Sequence, residues 1–168
     1  RIANGNALVG RMAMTLLDQE VPLWLSSPVT QLIVEDGAVA GAIIEHDGNK
    51  IEVRAKRGVV LASGGFPGNE ALRERYYGHL QAGKNHHPLP PATNTGDGIR
   101  VAQDAGGIFT EDAAHPAAWT PVSLVPQANG RCEPFPHFID RGKPGVIAVN
   151  QRGQRFVNEA DSYHDFVK

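Results

Sequence analysis

Apolar residues recur along the first part of the chain with the period of a helix. Leu8, Met12 and Leu16 share one face, with Val9, Ala13 and Leu17 beside them. This predicts an amphipathic helix over Asn6 to Glu20, with Asn4 or Asn6 able to cap its start. The pattern then becomes that of strands. Val21 to Leu25 and Val29 to Glu35 are expected to be extended, and Asp36-Gly37 forms a hairpin turn before Ala38 to Glu45. A second turn at Asp47-Gly48-Asn49 leads into Ile51 to Ala55, which completes a small antiparallel meander.

Beyond the meander, Val59, Val60 and Leu61 form an uninterrupted apolar run, the pattern of a strand covered on both faces in a parallel sheet. A buried strand over Gly58 to Leu61 is therefore expected. It ends in Gly64-Gly65, where the missing Cβ atoms let the backbone turn sharply or lie close against a phosphate or sugar. A plain strand-to-loop turn would use the same pair.

Glu70 to Tyr77 reads as a short helix and Gln81 to Asn94 as a loop rich in His and Pro. Thr95-Gly-Asp-Gly98 precedes a helix over Ile99 to Ala105 that stops at Gly106-Gly107. Prolines recur from Ile108 to Pro136 without strong periodicity, so a loop-dominated lobe is expected there. Val146 to Asn150 and Gln154 to Asn158 flank a turn at Gln151-Arg-Gly153 and predict a hairpin.

The chain has 168 residues, of which 41% are hydrophobic and 20% charged, enough for one well-buried core or two small lobes. A net charge of -2 with mixed signs leaves no electrostatic footprint for nucleic acid. The single Cys132 excludes an internal disulfide and argues against structural zinc, and it suits a reducing cytoplasm. His86-His87 finds no further ligand at helpful spacing, so no metal site is expected. No apolar run approaches the roughly 18 residues of a membrane span, and no signal sequence opens the chain. The chain starts at Arg1, runs directly into helical periodicity, and stops at Lys168 inside an amphipathic segment, which suggests an internal piece of a longer protein.

Three segments together, Val59-Val-Leu-Ala-Ser-Gly-Gly-Phe66, Thr95-Gly-Asp-Gly98 and Val149-Asn-Gln-Arg-Gly-Gln-Arg-Phe-Val-Asn-Glu159, resemble the flavoprotein family of fumarate reductase, succinate dehydrogenase and ketosteroid dehydrogenase. The opening Asn4-Gly-Asn-Ala-Leu8 helix and the meander are similar too. The resemblance implies an α/β (α+β) fold: part of a Rossmann-like FAD-binding domain over residues 1–78, carrying the meander, and an incomplete α+β capping domain over 79–168. The GxGxxG turn that holds the pyrophosphate in such domains, and the segment that completes the flavin-ring site, are not in the chain.

The resemblance further implies that Val29 offers backbone contacts to the adenine of FAD. Ala62, Ser63, Gly64 and Gly65 would line the ribose and pyrophosphate, and Thr95, Gly96 and Asp97 would lie near the flavin. Thr95 or Asp97 could equally serve only as a helix cap. The piece alone is expected to lack FAD and to be inactive.

The residues after Asn158-Glu159 separate the branches of the family. Fumarate reductases carry a proton-donating Arg there, whereas this chain reads Ala160-Asp-Ser-Tyr163, as ketosteroid dehydrogenases do. Arg141-Gly-Lys-Pro-Gly145 resembles the same branch. The resemblance implies that Tyr163 takes a proton from the carbon α to a ketone while the flavin accepts hydride from the β-carbon. A phenol, with an ordinary pKa of about 10, needs help to act as a base. Tyr163 could instead pack its ring on a core.

His115-Pro116 resembles the His-Pro of fumarate reductases, where the imidazole holds a substrate carboxylate. Trp119, Phe135 and Phe138 could wall a flat hydrophobic substrate or simply form a small core. Arg152 and Arg155 read as solvated charges, and Asn158 and Glu159 as a polar pair suited to a hinge.

The expected function is desaturation next to a carbonyl, on a hydrophobic ketone and with an unspecified electron acceptor. The alternatives are a fumarate reductase-like or succinate dehydrogenase-like enzyme acting on a small dicarboxylate, and a non-catalytic module of the same fold. Surface left uncovered by missing segments would allow the piece to pair with itself.

Overall fold

A computed structural model describes residues 4–167. The chain is a mixture of helices and antiparallel sheets. It divides into two compact units: one runs up to Val60 and includes Asp104–Gly106, and the other comprises Leu61–Gln103 and the chain from Gly107 onward.

The first unit opens with helix α1, Asn4–Asp18. The helix ends in a Schellman arrangement, with the Glu20 N–H donating to Leu17 C=O at 3.1 Å and the Val21 N–H to Leu16 C=O at 2.9 Å. Glu20 takes the left-handed conformation that closes such an end, with φ of 54°. The apolar face predicted from the sequence is present but bare: Leu8, Met12 and Leu16 are all exposed.

The meander follows as predicted. Strands β1 (Val29–Glu35), β2 (Ala38–His46) and β3 (Asn49–Arg54) pair antiparallel in that order. Both connections are two-residue turns with positive φ throughout: 50° and 78° at Asp36 and Gly37, 49° and 76° at Asp47 and Gly48. These primed turns match the twist of the strands they join, which is why Asp-Gly predicts them. Leu32 and Ala42, opposite each other in the register, form the small core of the sheet.

Two expected strands are absent. Val21 to Leu25 is irregular, because Pro22 offers no N–H and the segment is held by side chains instead. The Trp24 ring stacks on His46 at 4.9 Å, and Ser27 Oγ lies 2.7 Å from His46 Nδ1. Val59 to Leu61 also forms no strand, and Val60 is 89% exposed rather than buried. A strand exists only through a partner, and no segment among the described residues pairs with this one.

The second unit carries three short helices in succession: α2 (Glu70–Tyr76), α3 (Gly78–Gln81) and α4 (Asp97–Asp104). Asn69 caps α2, its Oδ1 accepting the Leu72 N–H at 3.1 Å. Gly106, with φ of 88°, ends α4, and the Gly107 N–H returns to Ala102 C=O at 2.8 Å. Val101 on α4 is the most deeply buried side chain of the unit.

Where a loop-dominated stretch was expected, the structure has a two-stranded ribbon, β4 (Val122–Pro126) with β5 (Cys132–Pro136). Main-chain bonds at Pro121/His137 and Gln127/Arg131 bracket it, so the intervening bonded pairs are Ser123/Phe135 and Val125/Glu133. Pro126, Pro134 and Pro136 fall on the alternate, non-bonded positions, where a missing N–H costs nothing. A 3-10 turn, Asp140–Gly142, follows. It is joined to the ribbon by Ser123 Oγ to His137 Nε2 at 2.7 Å and His137 Nδ1 to Asp140 Oδ2 at 2.5 Å.

The hairpin expected over Val146 to Asn158 shrinks to a single bridge, Val149 with Arg155, around the predicted turn. The described chain closes with a short helix, α5 (Tyr163–Phe166).

Candidate functional site

The two glycine motifs meet through the main chain. The Gly96 N–H donates to Gly65 C=O at 3.1 Å, the Gly68 N–H to Asn94 C=O at 2.8 Å, and Asn69 Nδ2 to Thr95 C=O at 3.1 Å. These bonds form a clasp between residues 63–69 and 94–98. Glycine is required at several of its positions. Gly64 has φ of 81° and faces the Asn94 amide, Gly96 has φ of 89° against Phe66 and Leu72, and a Cβ at Gly68 would overlap the Ala92 carbonyl oxygen. Ser63 Oγ occupies the space that a Cβ on Gly98 would need.

The outer side of the first strand of the clasp is open. Ala62, Ser63, Gly64 and Gly65 are exposed, and a Cβ on Gly65 would meet nothing nearer than Pro67 Cδ at 3.7 Å. On the second strand Gly96 is buried, Thr95 half-buried and Asp97 exposed. Thr95 Oγ1 donates to Asp97 Oδ2 at 2.9 Å and orients the first residue of α4.

The motif residues border three different cavities. Gly65 faces one of about 410 Å³, walled by Phe66, Tyr77, His86, Leu89 and Trp119. Thr95, Gly96 and Asp97 face a second of about 470 Å³ with Tyr76, Arg100 and Glu111. Ser63 and Gly64 border a third of about 250 Å³, closed by Ile108 and Phe109.

The first cavity has an aromatic wall. Tyr77, 4% exposed, meets Trp119 edge-on at 4.9 Å and His86 at 5.1 Å, and Trp119 meets His79 at 4.9 Å. His79 Nε2 and His86 Nδ1 lie 3.1 Å apart. Burial, reinforced by the neighbouring His79, Arg73 and His87, lowers His86 to about 4, so its ring is neutral at physiological pH. Among the described residues, no lysine or arginine lines this cavity. Periodicity does not signal this wall: Tyr77, His79 and His86 come from one stretch of chain, and Trp119 joins them from another.

Tyr163 is the first residue of α5 and is 38% exposed. Its ring meets Phe138 edge-on at 5.2 Å. Ser162 caps the helix, its Oγ accepting the Asp165 N–H at 3.1 Å. The turn before it is anchored by Glu159, whose carboxylate is buried at 6% exposure. Glu159 Oε1 accepts the Ala148 N–H at 2.7 Å, and both carboxylate oxygens accept from Arg155, with Nη2 to Oε2 at 2.5 Å. Those bonds, Arg155 first, push the Glu159 carboxyl down to about 2. Arg141 Nη1 donates to the Glu159 carbonyl at 2.6 Å. Arg155 is thus exposed, as a solvated charge would be, and also the partner that holds Glu159, a second role that the sequence analysis did not anticipate.

His115 is exposed, and its ring meets that of His164 edge-on at 4.7 Å. His164 Nδ1 also accepts the Trp119 N–H at 3.1 Å. Trp119, Phe135 and Phe138 form no common wall: Trp119 packs on Tyr77, Phe135 on His137 at 5.4 Å, and Phe138 on Tyr163. Val29 is half-buried at the start of β1 in the first unit, whereas the other candidates belong to the second.

Known proteins are similar to this chain in sequence, and a solved structure is similar to it in fold as well. The 4-oxocyclohex-2-ene-1-carboxylate 5-dehydrogenase of Sinomonas cyclohexanicum is 43% identical over 98% of the chain and 28% of its own length. The crystal structure of 3-ketosteroid delta1-dehydrogenase from Sterolibacterium denitrificans, in complex with 1,4-androstadiene-3,17-dione, superimposes with a TM-score of 0.74. It is 36% identical over 96% of the chain and 28% of its own. A probable fumarate reductase of Shewanella frigidimarina (strain NCIMB 400) is 24% identical over 94% of the chain and 25% of its own length. The chain thus spans little more than a quarter of each. Residues 1–168 match the family described as FAD binding domain, and the chain belongs to that family.

Proposed function

We propose that this chain is the central part of an FAD-dependent dehydrogenase acting on the carbon–carbon bond next to a ketone. The supporting observation is the neutral aromatic cavity beside Gly65. With His86 uncharged and no lysine or arginine among the described residues that line it, it suits a flat hydrophobic ring better than a dicarboxylate. The similarity to the Sterolibacterium and Sinomonas dehydrogenases supports the same chemistry.

The exposed main-chain strip at Ala62, Ser63, Gly64 and Gly65 fits a ribose and pyrophosphate, because its small residues allow close approach from the open side. On this reading Thr95, Gly96 and Asp97 approach the flavin, and Val29 contacts the adenine through its main chain. When bound, FAD supplies a hydride acceptor. Tyr163 receives the proton from the carbon α to the ketone at its phenolic oxygen, and Phe138 restricts the swing of its ring. The Rossmann-like flavin domain and the cap correspond to residues 1–78 and 79–168, and the bare run Val59 to Leu61 pairs with strands from the rest of the protein. A reducing cytoplasm suits the exposed free thiol of Cys132.

Tyr163→Phe in the full-length enzyme is expected to keep FAD bound and to slow turnover by ~100-fold or more, as loss of a general base does. Near-normal turnover would exclude the proton-transfer role. The rival dicarboxylate reading rests on His115. Activity with fumarate and none with a 3-ketosteroid or a cyclohexanone carboxylate would favour it. A full-length protein that purifies colourless and takes up no FAD would favour a non-catalytic module.

A further inference from the structure

We propose that His164 is a positioning residue for Tyr163, holding the start of α5 against the wall of the neutral cavity through its bond to the Trp119 main chain. The proposal rests on the reading of Tyr163 as the proton acceptor. Helix α5 has four residues, too few to be stable through its own hydrogen bonds, so the place of Tyr163 is set by contacts. At its far end Phe166 packs on Phe156 and Arg141, and three further contacts act at its start. Phe138 touches the tyrosine ring, Ser162 caps the turn, and His164 reaches across to a segment 45 positions away in sequence.

That third contact joins the helix to the cavity. The Trp119 N–H donates to His164 Nδ1 at 3.1 Å, while the Trp119 ring packs on Tyr77 and His79 in the cavity wall. A ring that accepts through Nδ1 carries its neutral-form proton on Nε2, which fixes the tautomer. The bond also satisfies a part-buried main-chain donor that would otherwise be orphaned. His115, edge-on at 4.7 Å, packs against the His164 ring and limits its rotation. Wall and tyrosine are therefore tied by one acceptor atom, and a substrate seated against Trp119 meets the phenol in a set register.

Removing the acceptor frees the helix start, while the Trp119 ring stays packed on Tyr77 and His79. In the flavin-loaded, full-length enzyme, assayed with a 3-ketosteroid and a cyclohexanone carboxylate, His164→Leu should lower kcat by about tenfold. KM and FAD content should change less than about twofold, because ground-state binding is not what the bond supplies. His164→Asn places an amide oxygen where Nδ1 was and should restore most of the lost kcat. His164→Ala carries the same expectation as the Leu variant and is read in its place should the latter lose flavin. Wild-type kcat in both variants lacking the acceptor would overturn the proposal, as would an Asn variant no better than they are. If Tyr163→Phe is nearly inactive while these variants are normal, the tyrosine role stands and positioning by His164 falls. If Tyr163→Phe is nearly normal, both fall together.

Discussion

Glu159 is one carboxylate with three kinds of partner: the Ala148 N–H, the Arg155 guanidinium and, through its carbonyl, Arg141. Its acidity is shifted downward by those partners, and the sign of the pH effect follows. The folded state holds the carboxylate ionised to about pH 2, against an ordinary value of 4.5. The stability it lends is full above about pH 4.5 and is lost as the pH falls from there towards about 2. Glu159→Gln should lower the thermal midpoint at pH 7 and flatten the acid limb across that window, which circular dichroism melts at successive pH values would measure. An unchanged acid limb would count against this account. Gly68 supplies the steric counterpart. A Cβ there overlaps main chain, not a flexible side chain, so Gly68→Ala should cost ~2 kcal/mol in urea unfolding. Gly78→Ala, where a Cβ meets nothing, should not. Neither effect is legible from residue type, since the partners of Glu159 and Gly68 are decided by the fold.

Local turn chemistry carried most of the legible elements. Asp36-Gly37 and Asp47-Gly48 specify primed turns within two residues, and the meander followed. The end of α4 at Gly106 was equally local, whereas α1 stops at Asp18, short of the expected Glu20. The ribbon β4–β5 was hidden because its prolines read as strand breakers, although they occupy only non-bonded positions. Val59 to Leu61 failed for the opposite reason: the composition suits a strand, but a strand needs neighbours, and the described residues contain none. Of the candidate site, both glycine motifs stood out in the sequence, but not the main-chain bonds that join them. The aromatic wall and the Trp119–His164 bond were not legible, since periodicity says nothing about which distant segments meet.

At the scale of the whole chain, apolar surface is left uncovered. Leu8, Val9, Met12 and Leu17 on α1, with Leu23, Leu25 and Val60 beyond it, are exposed. Among the described residues no helix is long and apolar enough to cross a membrane. Such surface is more than a monomeric protein ordinarily shows, so the isolated chain should self-associate. Sedimentation velocity is expected to give species heavier than the 18.0 kDa monomer. A monodisperse monomer that does not bind an apolar dye would contradict this.

The clasp has a further bearing on the residues between its two strands. Segment 69–93, which supplies Tyr77, His79, His86 and Leu89, leaves and re-enters the fold at points fastened to each other by the Gly68–Asn94 and Asn69–Thr95 bonds. Closing such an excursion costs little more when it is longer, because the entropy of closure grows only with the logarithm of length. The segment can therefore serve as an exchangeable cassette. Lengthening it at the exposed turn of residues 83–85 should cost little stability while it reshapes the cavity above the fixed glycines.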